Sequence, residues 1–315
     1  MIHQFEDEVS AIQKALEEFD SGHRSNVVVL TEPFYGEDAG WIETAIGPGT
    51  KRIEGAYLAD GHNLPDNAKV VIVEGLHRLY SRRIGGFGLI RSFMQSVAST
   101  EQLFIATCNA YSWRYLDQAL RIGMLFPIQI DLPLLDASRL KEMLLSGYSV
   151  GELQFAGQSD PAGAIEDASL SFMGRRLVLS GRIQALRRAL RPMPVSKTAE
   201  EIFFDRLARV SGGNPGIAKK LWAGALDYPR VREIPELPQA LDLDQTEAFA
   251  MSLVLSAGRI SKDELFSILG QADEILYSLV KMQLVNLING GKACEIRPEA
   301  VKPVAELLKR RRMAW

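Results

Sequence analysis

NVVVLTEPFYGED, residues 26–38, is the stretch on which the fold turns. Val27, Val28, Val29 and Leu30 run without a polar break, the pattern of a short strand covered on both faces rather than an alternating, half-exposed one. A proline, two aromatic residues and Gly36 follow, and residues 38–46 (DAGWIETAI) return to helical spacing. Strand, glycine-bearing loop and helix in that order open a βαβ unit.

The alternation continues to about residue 134. KVVIVE (69–74) and QLFIATC (102–108) read as further buried strands, FPIQIDLPL (126–134) as a fourth, and FGLIRSFMQSVA (87–98) as a helix between the second and third. Upstream, Val9, Ile12, Leu16 and Phe19 recur at helical spacing until Ser21-Gly22 ends the run. Strands separated by helices pair in parallel through right-handed crossovers, so the expected fold class is a three-layer α/β sandwich.

Past Asp136 the strand signal ends. Residues 136–146 and 196–226 read as helices, the latter broken at SGGNP (211–215). Between them lies GRRLVLSGRIQALRRALRP (174–192), with six arginines and no acid. It is either a solvated helix face or a basic docking patch. Residues 227–242 carry three prolines and read as a linker. The last stretch has its own pattern: a helix over 244–256, GRIS (258–261) with Ser261 and Glu264 spaced as a capping box, and a helix over 272–282. LVNLI and ACEIR then flank NGGK (289–292), and a helix follows Pro298. Three helices, a hairpin and a helix predict a winged helix. The expected domains are therefore 1–134 (α/β), 135–226 (helical lid with the basic insertion), 227–242 (linker) and 243–315 (winged helix).

The 315 residues are 47% hydrophobic and 24% charged, which is ordinary for a globular protein of two or three domains. A formal charge of −3 excludes a global field drawing the chain to nucleic acid or an anionic membrane. Cys108 and Cys294, far apart, make neither a disulfide framework nor a zinc site. The N-terminal stretch is acidic and amphipathic, unlike a signal peptide, and no apolar run suits a membrane span. These features point to the cytoplasm.

A buried strand, glycine loop and helix is also where a phosphate-binding G-x-x-x-x-G-K-[ST] loop sits, its backbone amides cradling phosphates, its lysine neutralising them and its hydroxyl holding magnesium. Here residues 31–38 read Thr31, Glu32, Pro33, Phe34, Tyr35, Gly36, Glu37 and Asp38. The second glycine is present, but Glu37 replaces the lysine and Asp38 the hydroxyl residue. A unit charge 4 Å from a phosphate is worth roughly 1 kcal/mol in water and about 4 kcal/mol at a surface-like dielectric. Reversing the sign doubles the difference, and about 1.4 kcal/mol is tenfold in affinity, so several decades of binding are at stake. Gly47-Pro48-Gly49-Thr50-Lys51 has the right residue types in the wrong order. The second strand ends in Glu74, which can support magnesium, and then Gly75 where a general base belongs. Asn109 ends the third strand, either as a sensor of nucleotide or as a cap for the helix that follows.

VVIVEGLHRLYSRRIGGFGLIRSFMQSV (70–97), LFIATCNAYSWRYL (103–116), FPIQIDLPLLDASRLKEML (126–144) and SGGNPGIAKKLW (211–222) resemble the archaeal and bacterial AAA+/STAND P-loop ATPases, a group near the origin-recognition initiator ATPases. The resemblance covers 27–226, is specific over 70–135, is weak at 31–38, and is compatible with the trailing winged helix. It implies an AAA+-like core with a helical lid, and a nucleotide site at Thr31, Gly36, Glu37, Asp38, Glu74 and Asn109, with Glu74 on magnesium if nucleotide binds. The family usually has an arginine after the lid's Asn-Pro; Gly216 stands there. Four altered positions, Glu37, Asp38, Gly75 and Gly216, imply a pseudo-ATPase without catalytic residues and without a required cofactor. An ATP- or ADP-binding switch with magnesium is the alternative reading.

Winged helices commonly place their third helix in the DNA major groove. Here that helix exposes Asp273, Glu274, Tyr277, Ser278 and Lys281, with no arginine for bidentate contact to guanine. Arg259, Lys262, Lys281, Lys292, Arg310 and Arg311 are the candidate DNA contacts, expected to give low sequence specificity. A protein partner is the first expectation and DNA the second. No membrane contact is expected, and no arginine finger marks a ring, so the chain is expected to be a monomer or simple dimer.

Overall fold

The computed structural model describes residues 5–35, 40–48, 50–61, 63–65, 68–156, 197–235 and 241–313. Gly36, Glu37, Asp38 and the basic stretch 174–192 lie outside the described residues.

The first body is a five-stranded parallel sheet. Its strands are β1 (Val27–Thr31), β2 (Thr50–Glu54), β3 (Val70–Glu74), β4 (Leu103–Asn109) and β5 (Ile128–Asp131), arranged β2-β3-β4-β1-β5. Thr31 pairs with Asn109, and Glu74 with Glu54, so the carboxyl ends of the strands open on one edge of the layer. β1, β3 and β4 are buried at every residue. Fully burying one such valine or leucine stabilises by roughly 1.5–3 kcal/mol, which is why unbroken apolar runs seek the middle of a sheet. On one face pack α1 (Glu6–Asp20) and α2 (Gly40–Ile46), through Ile12, Ala15 and Ile42 against Val27, Val29, Ile72 and Ile105. On the other face are α4 (Gly88–Ser99) and α5 (Ala110–Leu120), with Phe93, Val97, Trp113 and Leu116 over Val71, Val73 and Phe104. The short α3 (Gly55–Ala59) links β2 to the stretch before β3. Three layers, parallel strands and crossover helices make this a three-layer α/β core.

β2 departs from the sequence reading. TKRIE carries three charges, one hydroxyl and only a partly covered isoleucine, because β2 is an edge strand that exposes Lys51 and Arg52 to solvent. Charged edge strands deter pairing with other chains, and the same charge hides them from a hydrophobicity pattern.

The chain leaves the sheet after β5 and enters the lid: α6 (Ala137–Leu145), β6 (Gln154–Phe155), α7 (Ala199–Ser211) and α8 (Pro215–Ala225). Asp136 caps α6, Thr198 and Glu201 form a reciprocal capping box on α7, and Pro215 opens α8 behind the cap Asn214. Part of the expected linker belongs to the lid. β7 (Leu226–Asp227) and β8 (Arg230–Val231) form a small sheet with β6, and Val231 and Ile234 are each 1% exposed.

The C-terminal unit runs α9 (Gln245–Ala257), β9 (Arg259–Ser261), α10 (Lys262–Leu269), α11 (Ala272–Lys281), β10 (Val285–Ile288), β11 (Ala293–Ile296) and α12 (Val301–Arg310). Its sheet has the order β10-β11-β9, with Asn289 and Gly290 at positive φ turning the hairpin. Ser261 accepts from the Glu264 N–H as expected of the cap. The helices and the hairpin follow one another in the order expected from the sequence. α9 is buried on nearly every face, from Ala248 to Ser256, because it is packed between its own unit and the core.

Candidate functional site

A cleft of about 530 Å³ opens at the carboxyl ends of the strands. Three parts of the chain line it: Thr31, Glu32, Pro33, Phe34, His77, Arg78 and Asn109 from the core, Lys220 from α8, and Ala257, Gly258, Arg259 and Glu295 from the C-terminal unit. A crevice beyond the carboxyl ends of parallel strands is where open α/β sheets hold ligands. Of the residues singled out for a nucleotide site, Thr31 and Asn109 meet there, joined by Arg259 from the candidate DNA contacts; Glu74 is not among the lining residues.

Asn109 has the local role the sequence allowed as one of two readings. Its Oδ1 accepts from the Tyr111 N–H at 2.9 Å and caps α5, while its Nδ2 donates to the Leu255 carbonyl of α9 at 2.9 Å. Its own N–H donates to His77 Nδ1 at 3.1 Å, so a neutral His77 carries its proton on Nε2. Asn109, 4% exposed, thus has one Nδ2–H and its Oδ1 committed to structural bonds while it lines the cleft.

Glu74, 9% exposed, pairs instead with Arg52 of the neighbouring strand, Nη2 to Oε1 at 2.9 Å. Gly75 next to it is at φ +69°, and its N–H donates to Thr107 Oγ1 at 2.9 Å. The turn at 75 therefore favours glycine and leaves no ordinary place for an acidic side chain. Among the described residues no group of three or more His, Cys, Asp or Glu could hold a metal ion.

The lid meets the loop after β1 directly. Asn214 accepts from the N–H groups of Gly216 and Ile217 through Oδ1, and donates from Nδ2 to the Pro33 carbonyl at 3.0 Å. Phe34 sits at φ +67°, and a Cβ on Gly216 would lie 1.4 Å from the Phe34 oxygen. The arginine that the family resemblance implies at 216 has no room. Glu32 lies beside this contact; burial raises its carboxyl pKa above the usual range, opposed by a hydrogen bond from Asn214. Lys220 supplies a cation 4.4 Å from the centre of the Phe34 ring. Neither Glu32 nor Lys220 carried a sequence signal, since both gain meaning only when lid and loop come together.

The aromatic residues of the middle segment are packing. Tyr80, Phe87 and Tyr115 stack with centroids 5.9–6.0 Å apart. Trp113 packs edge-on against Phe126 and donates to Gln129. Arg82 lies 4.1 Å above the Tyr115 ring.

On the C-terminal unit, two candidate DNA contacts are engaged with acids: Arg259 with Glu295 at 3.0 Å, and Lys262 with Asp273. Arg311 donates to the Asp244 carbonyl at 3.3 Å and Arg310 to the Glu306 carbonyl at 3.4 Å. Lys281 is in the last turn of α11, where the helix dipole favours a cation, and Lys292 closes the hairpin turn. Large apolar side chains are exposed around them: Phe266 (58%), Tyr277 (73%), Val280 (37%) and Leu287 (50%).

No helix among the described residues is long and apolar enough to cross a membrane. No family model and no curated protein matches the chain. Solved structures resemble it over its length at low identity. RuvB of Thermotoga maritima, a Holliday junction branch migration motor, is 15% identical with a TM-score of 0.39, over 95% of this chain and 94% of that one. The ORC2 protein of Aeropyrum pernix in its ADP form is 11% identical with a TM-score of 0.41, over 98% and 94%. Aeropyrum pernix ORC1 in complex with DNA is 14% identical with a TM-score of 0.38, over 98% and 94%.

Proposed function

We propose that this chain is a non-catalytic AAA+-like platform, a pseudo-ATPase of the STAND-like type, that presents its winged helix to a protein partner. The observation carrying this reading is the contact of Gly216 with the Phe34 carbonyl. The lid rests against the loop where phosphate recognition is expected, and backbone fills the place of the lid arginine. Asn109 bonded to α9 and Glu74 bonded to Arg52 support it, because each is spent on structure. On this reading the chain neither requires magnesium nucleotide nor hydrolyses it. Exposed Tyr277, Val280 and Leu287 favour an apolar protein contact over the phosphate backbone, and paired Arg259 and Lys262 weaken the electrostatic footprint that DNA requires. The direct test is turnover of magnesium ATP by the purified chain, with and without duplex DNA. None is expected; turnover abolished by Asn109→Ala would overturn the reading.

A second reading, a nucleotide-responsive switch, is favoured by the cleft itself, which has Arg78, Lys220 and Arg259 on its walls. It requires magnesium-dependent ATP or ADP binding that Glu74→Gln weakens.

A further inference from the structure

The apolar cores divide the molecule in an unexpected place. The sheet has its own buried clusters on its two faces. Lid and winged helix share one continuous cluster, from Leu140, Phe204 and Trp222 through Met251 and Val254 to Val304 and Leu308. Of the described residues up to 135, only Tyr111 and Leu135 are buried in it, with Phe34 packed against it. Lys302 of α12 also donates to the Arg209 carbonyl near the end of α7 at 3.0 Å.

The seam between this double body and the sheet has two parts: on the lid side Asn214 and Gly216 rest on Pro33 and Phe34, and at the end of α9 the contact is polar. α9 ends with carbonyls that have no partner inside the helix. The core satisfies them: Asn109 Nδ2 donates to Leu255 O, and Ser112 Oγ to Ser256 O at 2.7 Å. Arg82 brings its positive charge to the same negative helix end, donating to Ser256 Oγ at 3.1 Å and to Ser252 Oγ at 3.5 Å. Those serines pass the bond on to the Ser252 and Phe249 carbonyls. Ser81 Oγ and Arg82 Nε are buried there without a hydrogen-bond partner, a cost that hydration removes when the seam opens. The backbone crosses from sheet to lid once, at 132–136 between β5 and α6.

We propose that the lid and the winged helix move as one rigid body against the α/β core, hinged at 132–136, with Arg82, Asn109 and Ser112 as a release joint that caps α9 from outside. An apolar core of this extent resists division, whereas a few directional bonds at a helix end exchange with water at small net change. The cleft lies along this seam, so opening the joint widens it and carries Lys220 and Arg259 away from Thr31 together. The inference does not depend on whether nucleotide binds.

Spin labels at Ser92→Cys (core), Lys219→Cys (lid) and Lys309→Cys (winged helix), all exposed, test it by pairwise distance distributions from pulsed electron resonance. Cys108 and Cys294 are buried and their thiol pKa values are raised by burial, so they stay unlabelled. In Asn109→Ala and in Arg82→Ala, the 92–219 and 92–309 distributions should broaden or shift together while 219–309 keeps its parent width. Broadening of 219–309 alongside 92–309 would make lid and winged helix separate bodies and overturn the proposal. So would core distances as narrow in both variants as in the parent. If Asn109→Ala does not fold, Arg82→Ala at the half-buried rim gives the same reading.

Discussion

Gly216 and Phe34 touch backbone to backbone: a Cβ on residue 216 would meet the Phe34 oxygen at 1.4 Å. No side chain can give way there, so Gly216→Ala must push α8 off the loop or distort Phe34, already at φ +67°. Overpacking of this kind costs about 1–3 kcal/mol or more. Urea denaturation should show a loss of at least about 2 kcal/mol for Gly216→Ala, and Gly216→Arg should not restore nucleotide binding.

Asn109→Ala removes an N-cap and the donor to Leu255 at once. A lost cap costs about 1 kcal/mol, and a buried carbonyl left unsatisfied about 1–3 kcal/mol more. Asn109→Asp keeps the cap but loses the donor. It should fall between the parent and alanine in chemical denaturation, a graded order that a role in sensing nucleotide does not require.

Glu32 gives the pH dependence. Its folded-state pKa is raised above 4.5 by burial, so across the window from about 4.5 upward to that raised value the folded state holds more proton than the unfolded chain. Its contribution to stability is present below that window and declines as pH rises through it. Glu32→Gln keeps an acceptor for Asn214 and removes the buried charge. The variant should match the parent near pH 4, exceed it at pH 7, and lack that component of the decline in thermal melts across pH.

The winged helix separates DNA from protein as a target. With Arg259 and Lys262 engaged by Glu295 and Asp273, Lys281, Lys292, Arg310 and Arg311 are the candidates left to carry duplex contact by the C-terminal unit. Contact with at most four phosphates gives a log-log salt slope no steeper than about −4. Fluorescence anisotropy should find weak, sequence-independent binding that disappears when Lys292, Arg310 and Arg311 become alanine. A tight complex with a steep slope would favour a DNA-binding regulator.

Legibility followed burial. Strands β1, β3 and β4 stand out in sequence because nothing polar interrupts residues covered on both faces, and the helix caps at Asp136, Thr198, Asn214, Asp244 and Ser261 act within a few residues of themselves. β2 was missed because an edge strand wears charge. The site was half legible. Thr31 and Asn109 could be placed at strand ends by counting, but Arg52 on Glu74, Phe34 against Gly216 and Asn109 on Leu255 join residues 22 to 182 positions apart. No local pattern encodes such pairs. The linker reading failed at Val231 and Ile234 because prolines mark turns as readily as loose chain.

The most direct test of the central claim is calorimetric titration of ATP and of ADP, each with magnesium, into the full chain. A lid seated on the loop and a spent Asn109 and Glu74 predict no binding heat up to millimolar nucleotide. Micromolar binding that requires magnesium and is weakened by Glu74→Gln would contradict the account and establish a nucleotide-holding switch in its place.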